Sequence, residues 1–205
     1  MARKTKAEAA ATRDSILDAA EKLFAEQGVS RTTLQHIASA AGATRGAIYW
    51  HFLDKGALFN AMMDRAKLPM DEAVKLLDQR ELADPLQCLR DEMMTVMRII
   101  VEDSKSRRVF EIAMLKTEFV DEVESFRTRR RESIALWQER MEGFLEQARE
   151  KGMLRPGVST RTAAMGGWIT VDGLIRNWIF EPTAFDLLEV GGQVIDTYLA
   201  GLRAG

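Results

Sequence analysis

The sequence predicts an all-α protein, with a compact three-helix head ahead of a larger helical body. Three observations carry this. Apolar residues recur at three- and four-residue spacing along nearly the whole chain, and strand-like alternation is missing. The four prolines, Pro69, Pro85, Pro156 and Pro182, stand where helices begin, bend or end. Near the N-terminus the apolar stripes are short and punctuated by Gly28 and Gly42, whereas later ones are long.

A first helix over 12–27 carries Ile16, Ala20, Leu23 and Phe24 on one stripe and stops at Gly28. A second starts at Thr33, whose hydroxyl is placed to cap free amides, and turns Leu34, Ile37, Ala38 and Ala41 inward before Gly42. Thr44 is placed to cap a short third helix. A fourth begins near Asp54 and returns Leu58 and Phe59 to the same small core. The boundary is therefore drawn with 1–55 as head and 56–205 as body. Body helices are expected over 54–80 with a bend near Pro69, then 84–103, 106–117, 119–152, 160–181 and 184–202. Asp84 before Pro85 sets a capping residue ahead of proline at the first helical position. Thr183 with Asp186 resembles a capping box.

Composition narrows the function classes. With 46% hydrophobic and 29% charged residues, the 205-residue chain is able to bury a sizeable core. No stretch approaches the ~18 apolar residues of a membrane span, and no apolar segment follows the basic start to make a secretory signal. A single cysteine, Cys88, suits a reducing cytoplasm. The net charge of −2 conceals an asymmetry: residues 1–55 hold eight Lys/Arg against six Asp/Glu, and the remainder is acidic. Arg3, Lys4, Lys6 and Arg13 at the start are opposed only by Glu8. Lys4 and Lys6 are either a solvated tail or cations that track phosphate. No catalytic, cofactor or metal site is expected, because the two histidines, His36 and His51, both lie in the head, and neither a glycine phosphate loop nor a ligand cluster is present.

The stretch Thr44–Phe52 is the most informative. Ile48 and Phe52, four apart, share the face that must pack inward. Gly46, Ala47 and Trp50 point roughly the other way, with Arg45 and Tyr49 on one flank and His51 on the other. Gly46 and Ala47 add almost no bulk, so such a helix fits the DNA major groove, about 12 Å wide. Arg45 is suited to guanine O6 and N7, and Tyr49 and His51 to phosphate oxygens. Thr33, Thr44 and Lys55 lie at or near helix N-termini, which favour anions. Trp50 is either a groove residue or a packing residue between head and body. His51 is otherwise an ordinary surface or core histidine.

On these residues, Thr33–Ala38 and Ala41–Phe52 followed by Lys55, the head resembles the TetR family of bacterial transcriptional repressors, in the branch that represses multidrug efflux pumps. Ala43 departs from the family's usual valine. Weaker similarity continues through Asp84–Leu86, Ser106–Arg108, Glu118–Phe119 and Val171–Ile175. The resemblance implies a helix-turn-helix DNA-binding head, a ligand-binding and dimerisation body, a homodimer on palindromic double-stranded operator DNA, and release by an amphipathic or aromatic inducer. A TetR-like regulator of another metabolic operon, a DNA-binding protein without inducer, and an enzyme using the body cavity remain alternatives.

For the body, the candidate ligand-binding residues read from apolar stripes are Met70, Cys88, Met93, Val96, Met97, Phe110 and Met114, then Ile134, Trp137 and Met141, then Trp168, Val171, Asp172 and Ile175. The resemblance places Val96, Phe110, Met114, Ile134, Trp137, Met141, Gly167, Trp168, Asp172 and Ile175 directly on the pocket. Phe110 and Met114 replace polar side chains there and Trp137 is larger than its counterpart, which implies apolar or aromatic ligands. Eleven methionines suit a tolerant site. Asp172 is either paired with Arg176 or anchors a ligand. The run Arg127–Arg131, flanked by Glu122, Glu124 and Glu132, is expected to be a solvated face. Gly166-Gly167 leaves room for a ligand beside Trp168 or allows close helix approach, and Gly191-Gly192 serves approach. Trp168, Val171, Leu174, Ile175, Trp178 and Ile179, with Phe185, Leu187, Leu188, Val194, Ile195, Tyr198, Leu199 and Leu202, are expected to form a two-fold four-helix interface. The alternative is a buried pair within one chain.

Overall fold

The computed structural model describes residues 5–78, 84–117 and 124–204. Lys4, Glu122 and the first residues of the helix expected from 119 lie outside the described residues. Among those described there are nine helices and no strand: α1 Lys6–Gln27, α2 Leu34–Ala40, α3 Arg45–His51, α4 Lys55–Asp78, α5 Pro85–Glu102, α6 Ser104–Leu115, α7 Glu124–Glu150, α8 Thr160–Phe180 and α9 Leu187–Leu202. The all-α expectation holds. Two compact units are present, Met1–Ala66 with Arg108–Arg129, and Lys67–Arg107 with Arg130–Gly205. The boundary drawn after residue 55 falls at the first residue of α4, which continues unbroken through Pro69, whereas the first compact unit runs on to Ala66 and takes in 108–129.

Two starts differ from the sequence reading. The first helix begins six residues early, because the Thr5 hydroxyl accepts the Glu8 amide (3.2 Å) while Glu8 Oε2 accepts the Thr5 amide (2.7 Å). That reciprocal capping box satisfies two orphan donors ahead of the apolar stripe. The last helix begins late. Asp186 is itself the cap, taking the Leu188 and Glu189 amides at 2.8 and 2.9 Å, while the Thr183 hydroxyl goes to Glu181.

In the first unit, Ile16, Leu17, Ala20 and Phe24 of α1 meet Ile37 and Ala38 of α2, Ile48 and Phe52 of α3 and its end, and Leu58, Phe59 and Met62 of α4. The rings of Phe24 and Phe59 lie 5.9 Å apart. Val109, Ile112 and Ala113 of α6 complete this core, a contribution from far along the chain. Gly28 (φ +84°) and Gly42 (φ +63°) make the turns that L side chains resist. Buried Glu21 is held by Arg65 (3.1 Å) and Arg108 (3.2 Å), so its charge is compensated.

In the second unit, α5 buries Leu86, Leu89, Met93, Met97 and Ile100, and α5, α8 and α9 pack on one another. Arg90 grips Asp196 by two bonds, 2.5 and 2.9 Å. The expected interface face needs correction. Val171, Ile175, Trp178 and Ile179 of α8 and Leu187, Ile195 and Leu199 of α9 are buried within the single chain, since these stripes serve the α5–α8–α9 contact first. The apolar residues left outside are Met165, Ile169 (55% exposed), Phe180 (76%) and Val194. Gly191 serves close approach: a Cβ there would lie 2.8 Å from both the sulfur and the terminal methyl of Met97. Gly166-Gly167 likewise stands at a close approach of side chains. A Cβ at Gly166 would sit 3.0 Å from the Tyr198 hydroxyl, and one at Gly167 2.5 Å from the Met141 methyl.

Gly191→Ala should therefore lower stability. Overpacking costs about 1–3 kcal/mol and helix propensity returns only about 1. Urea unfolding should show a lower midpoint at unchanged slope.

Candidate DNA interface and ligand-binding residues

The seven residues of α3 are too few to be helical alone; they are held from below and at their start. Ile48 and Phe52 are buried in the head core. The Thr44 hydroxyl accepts the Ala47 amide at 3.1 Å, and Thr33 does the same for His36 at the start of α2. Both threonines are exposed, and both hydroxyls keep a proton to donate.

On the outward side, Arg45, Gly46, Tyr49 (47% exposed) and Trp50 (73%) face solvent, and Ala47 is half-buried. Trp50 is not a packing residue within this chain. Its ring stands edge to face with that of half-buried His51, centroids 4.5 Å apart. A Cβ at Gly46 would meet nothing nearer than the Thr44 hydroxyl at 3.9 Å, so nothing inside the protein requires glycine there. Arg45 is not free: its Nη2 donates to the Tyr49 hydroxyl at 3.1 Å, with the guanidinium carbon 5.5 Å from the ring centroid. Lys55 is turned inward, its ammonium donating to the carbonyls of Val29 (3.2 Å) and Thr32 (3.3 Å). It closes the loop between α1 and α2, where sequence alone pointed it at phosphate.

One cation was missed. The Arg13 guanidinium lies 5.2 Å over the Phe52 ring, which brings a charge from α1 to the end of α3. No spacing rule links residues so far apart; the only signal was its place in the basic start. Lys6, the first residue of α1, is exposed.

Among the ligand candidates, Phe110 and Met114 are half-buried members of the first unit; all the others belong to the second. Met70, Met93, Met97, Met141, Gly167, Val171 and Ile175 are buried, and Val96, Ile134, Trp137 and Trp168 are half-buried. Burial, reinforced by Asp91, pushes the half-buried Cys88 thiol up. Asp172 accepts from Arg176 (3.4 Å), as the four-residue spacing allowed, and also from Arg130 (3.2 Å). The arginine run is therefore not simply a solvated face: Arg129 bonds Asp64, and half-buried Arg130 reaches Asp172. A further buried carboxylate, Glu92 on α5, accepts Arg140 Nε at 2.7 Å. An inward charge within an amphipathic stripe was the sequence signal for it. Among the described residues no three His, Cys, Asp or Glu side chains are grouped to hold a metal, and no helix is long and apolar enough to cross a membrane.

Comparison with known proteins places this geometry. Residues 16–62 match the model for bacterial regulatory proteins of the tetR family, and residues 84–204 the C-terminal region of MAATS-type transcriptional repressors. The HTH-type transcriptional regulator TtgR of Pseudomonas putida is 38% identical, over 99% of this chain and 97% of its own. The crystal structure of NalD, the secondary repressor of the MexAB-OprM multidrug efflux pump in Pseudomonas aeruginosa, superposes with a TM-score of 0.88 at 34% identity, covering 97% of this chain and 98% of that one. SmeT of Stenotrophomonas maltophilia, in complex with triclosan, gives 0.82 at 34% identity over 95% and 92%. With a family model spanning more than half its length and a relative this similar end to end, the chain belongs to the TetR family of bacterial transcriptional regulators.

Proposed function

We propose that this protein is a ligand-responsive repressor of a multidrug efflux operon, acting in the cytoplasm as a homodimer on a palindromic operator. The observation that carries the DNA-binding part is the division of α3: Ile48 and Phe52 fasten it to the core while Arg45, Gly46, Tyr49 and Trp50 are presented outward. Arg45 reads base edges, Thr33, Thr44 and His51 set register on phosphates, and Arg13 adds a charge beside the helix end. The efflux target is supported by the similarity to NalD and SmeT, both repressors of multidrug efflux pumps. Inducer binds among the candidate residues of the body and favours a state with lower operator affinity. It must bind that state more tightly than the DNA-competent one, or nothing shifts.

Gly46 separates grip from stability. Because a Cβ has open space there, Gly46→Ala should leave the melting temperature unchanged or raise it, by up to about 1 kcal/mol of helix propensity. The same methyl obstructs approach to the groove floor, so fluorescence anisotropy on a duplex enriched from a random library should show weaker binding. Undiminished affinity would remove α3 from the interface.

Dimerisation is assigned to the exposed stripe Met165, Ile169 and Phe180 of α8 with Val194 of α9. Ile169→Glu should convert a dimer to a monomer in sedimentation equilibrium and weaken operator binding together. A variant that stays dimeric places the interface elsewhere.

Triclosan, the ligand of the SmeT complex, is the first inducer to titrate against a preformed operator complex, within a panel of neutral and cationic aromatic compounds. Concentration-dependent release is the expected result. Retention of DNA against the whole panel would favour a regulator without a small-molecule inducer.

A further inference from the structure

We infer that Tyr49 is a positioning residue for Arg45, and that the pair forms one reading unit rather than a base reader beside a separate phosphate anchor. This rests on the assignment of Arg45 to base recognition above. The two side chains are four apart on α3, the spacing at which helical neighbours meet. Arg45 Nη2 donates to the Tyr49 hydroxyl oxygen at 3.1 Å. The guanidinium carbon stands 5.5 Å from the centre of the same ring, within reach of its negative face. One aromatic side chain therefore engages the guanidinium twice, at its edge and over its face.

The consequence is entropic. A free arginine has several rotatable bonds to freeze when it docks on a base, and that loss subtracts from affinity. Tyr49 has only two torsions, and its own backbone is fastened through buried Ile48. By holding Arg45 against itself before DNA arrives, it removes part of that cost. Only one of the five guanidinium N–H groups is taken by the phenol, so a fork remains to meet guanine O6 and N7. Tyrosine is required in full, because phenylalanine keeps the face contact and loses the hydroxyl acceptor.

A phosphate bond from the same hydroxyl makes a different prediction. It would strengthen binding to every sequence alike, independently of residue 45, and would contribute to the salt dependence. A double-mutant cycle on the full-length protein separates the two. Wild type, Tyr49→Phe, Arg45→Ala and the double variant are titrated by anisotropy onto a duplex enriched from a random library by wild type, and onto a scrambled duplex, over a salt series. Matching melting temperatures establish that all four are folded. Arg45→Ala is expected to reduce the preference for the enriched duplex about ten- to a hundredfold. Tyr49→Phe should reduce it about fivefold, with the scrambled duplex and the salt slope unchanged. In the Arg45→Ala background it should have no further effect. Additivity with Arg45→Ala, or equal weakening on both duplexes, overturns the positioning role and leaves Arg45 as reader. An undiminished preference in Arg45→Ala overturns both.

Discussion

The docking of α3 through Ile48 and Phe52 is the contact on which the rest of the head depends. Seven residues cannot nucleate and hold a helix in water, so α3 exists because two of its side chains are buried with Ile16, Leu17 and Phe24 of α1, Ile37 of α2, and Leu58 and Phe59 of α4. Thr44 secures the first turn. Once those two residues are inside, helical geometry turns Gly46 and Trp50 away from the core and sets Arg45 and Tyr49 together on one flank, and all four are exposed. Function is thus a by-product of packing: the core selects which residues remain for DNA. It also bears on a local inconsistency. Glycine is a poor helix residue and an exposed tryptophan a poor surface residue, and both stand on the helix proposed to meet DNA.

What was legible in the sequence follows the range of the interactions. Thr33, Thr44 and Asp84 as caps, Gly28 and Gly42 as turns, and the stripes of α1 to α4 all depend on neighbours within a few residues, and these expectations match the structure. The α1 start is not marked by the apolar stripe, because the capping box of Thr5 and Glu8 lies well over a turn before Ile16, the first buried residue of that stripe. Lys55 was misdirected for a different reason. Its partners, the carbonyls of Val29 and Thr32, are over twenty residues away and carry no side-chain signal at all.

Charge in the body makes the same point more strongly. Spacing alone joined Asp172 to Arg176, yet Arg130, 42 residues away, is a second partner. Glu92 finds Arg140 at a separation of 48 and Glu21 finds Arg108 at 87. Each is a buried or half-buried carboxylate whose desolvation must be offset by a specific cation. The sequence announces that such a partner must exist without naming it. Apolar residues are harder still. Gly167 looked like room for a ligand and is filled by Met141, because small and flexible residues complement one another in ways that neither reveals singly.

The charge distribution also bears on why the proposed homodimer suits DNA recognition. With Lys55 donating to backbone carbonyls, Arg13 and Arg45 are two cations that the structure sets against α3 and its end, and Lys/Arg exceed Asp/Glu over residues 1–55 by only two, eight against six. Where a head makes few phosphate contacts, little counterion is released and one head alone grips weakly. Joining two heads makes the second contact intramolecular and multiplies affinity without any new side chain. It also imposes a spacing near one helical turn of DNA, about 34 Å, which no single head is able to read. In the proposed homodimer a weakly binding head is suited to release, since any shift that spoils the spacing forfeits the multiplied term and leaves only the weak one. In the proposed homodimer the exposed stripe of α8 and α9 would join two copies while the outward face of α3 meets DNA.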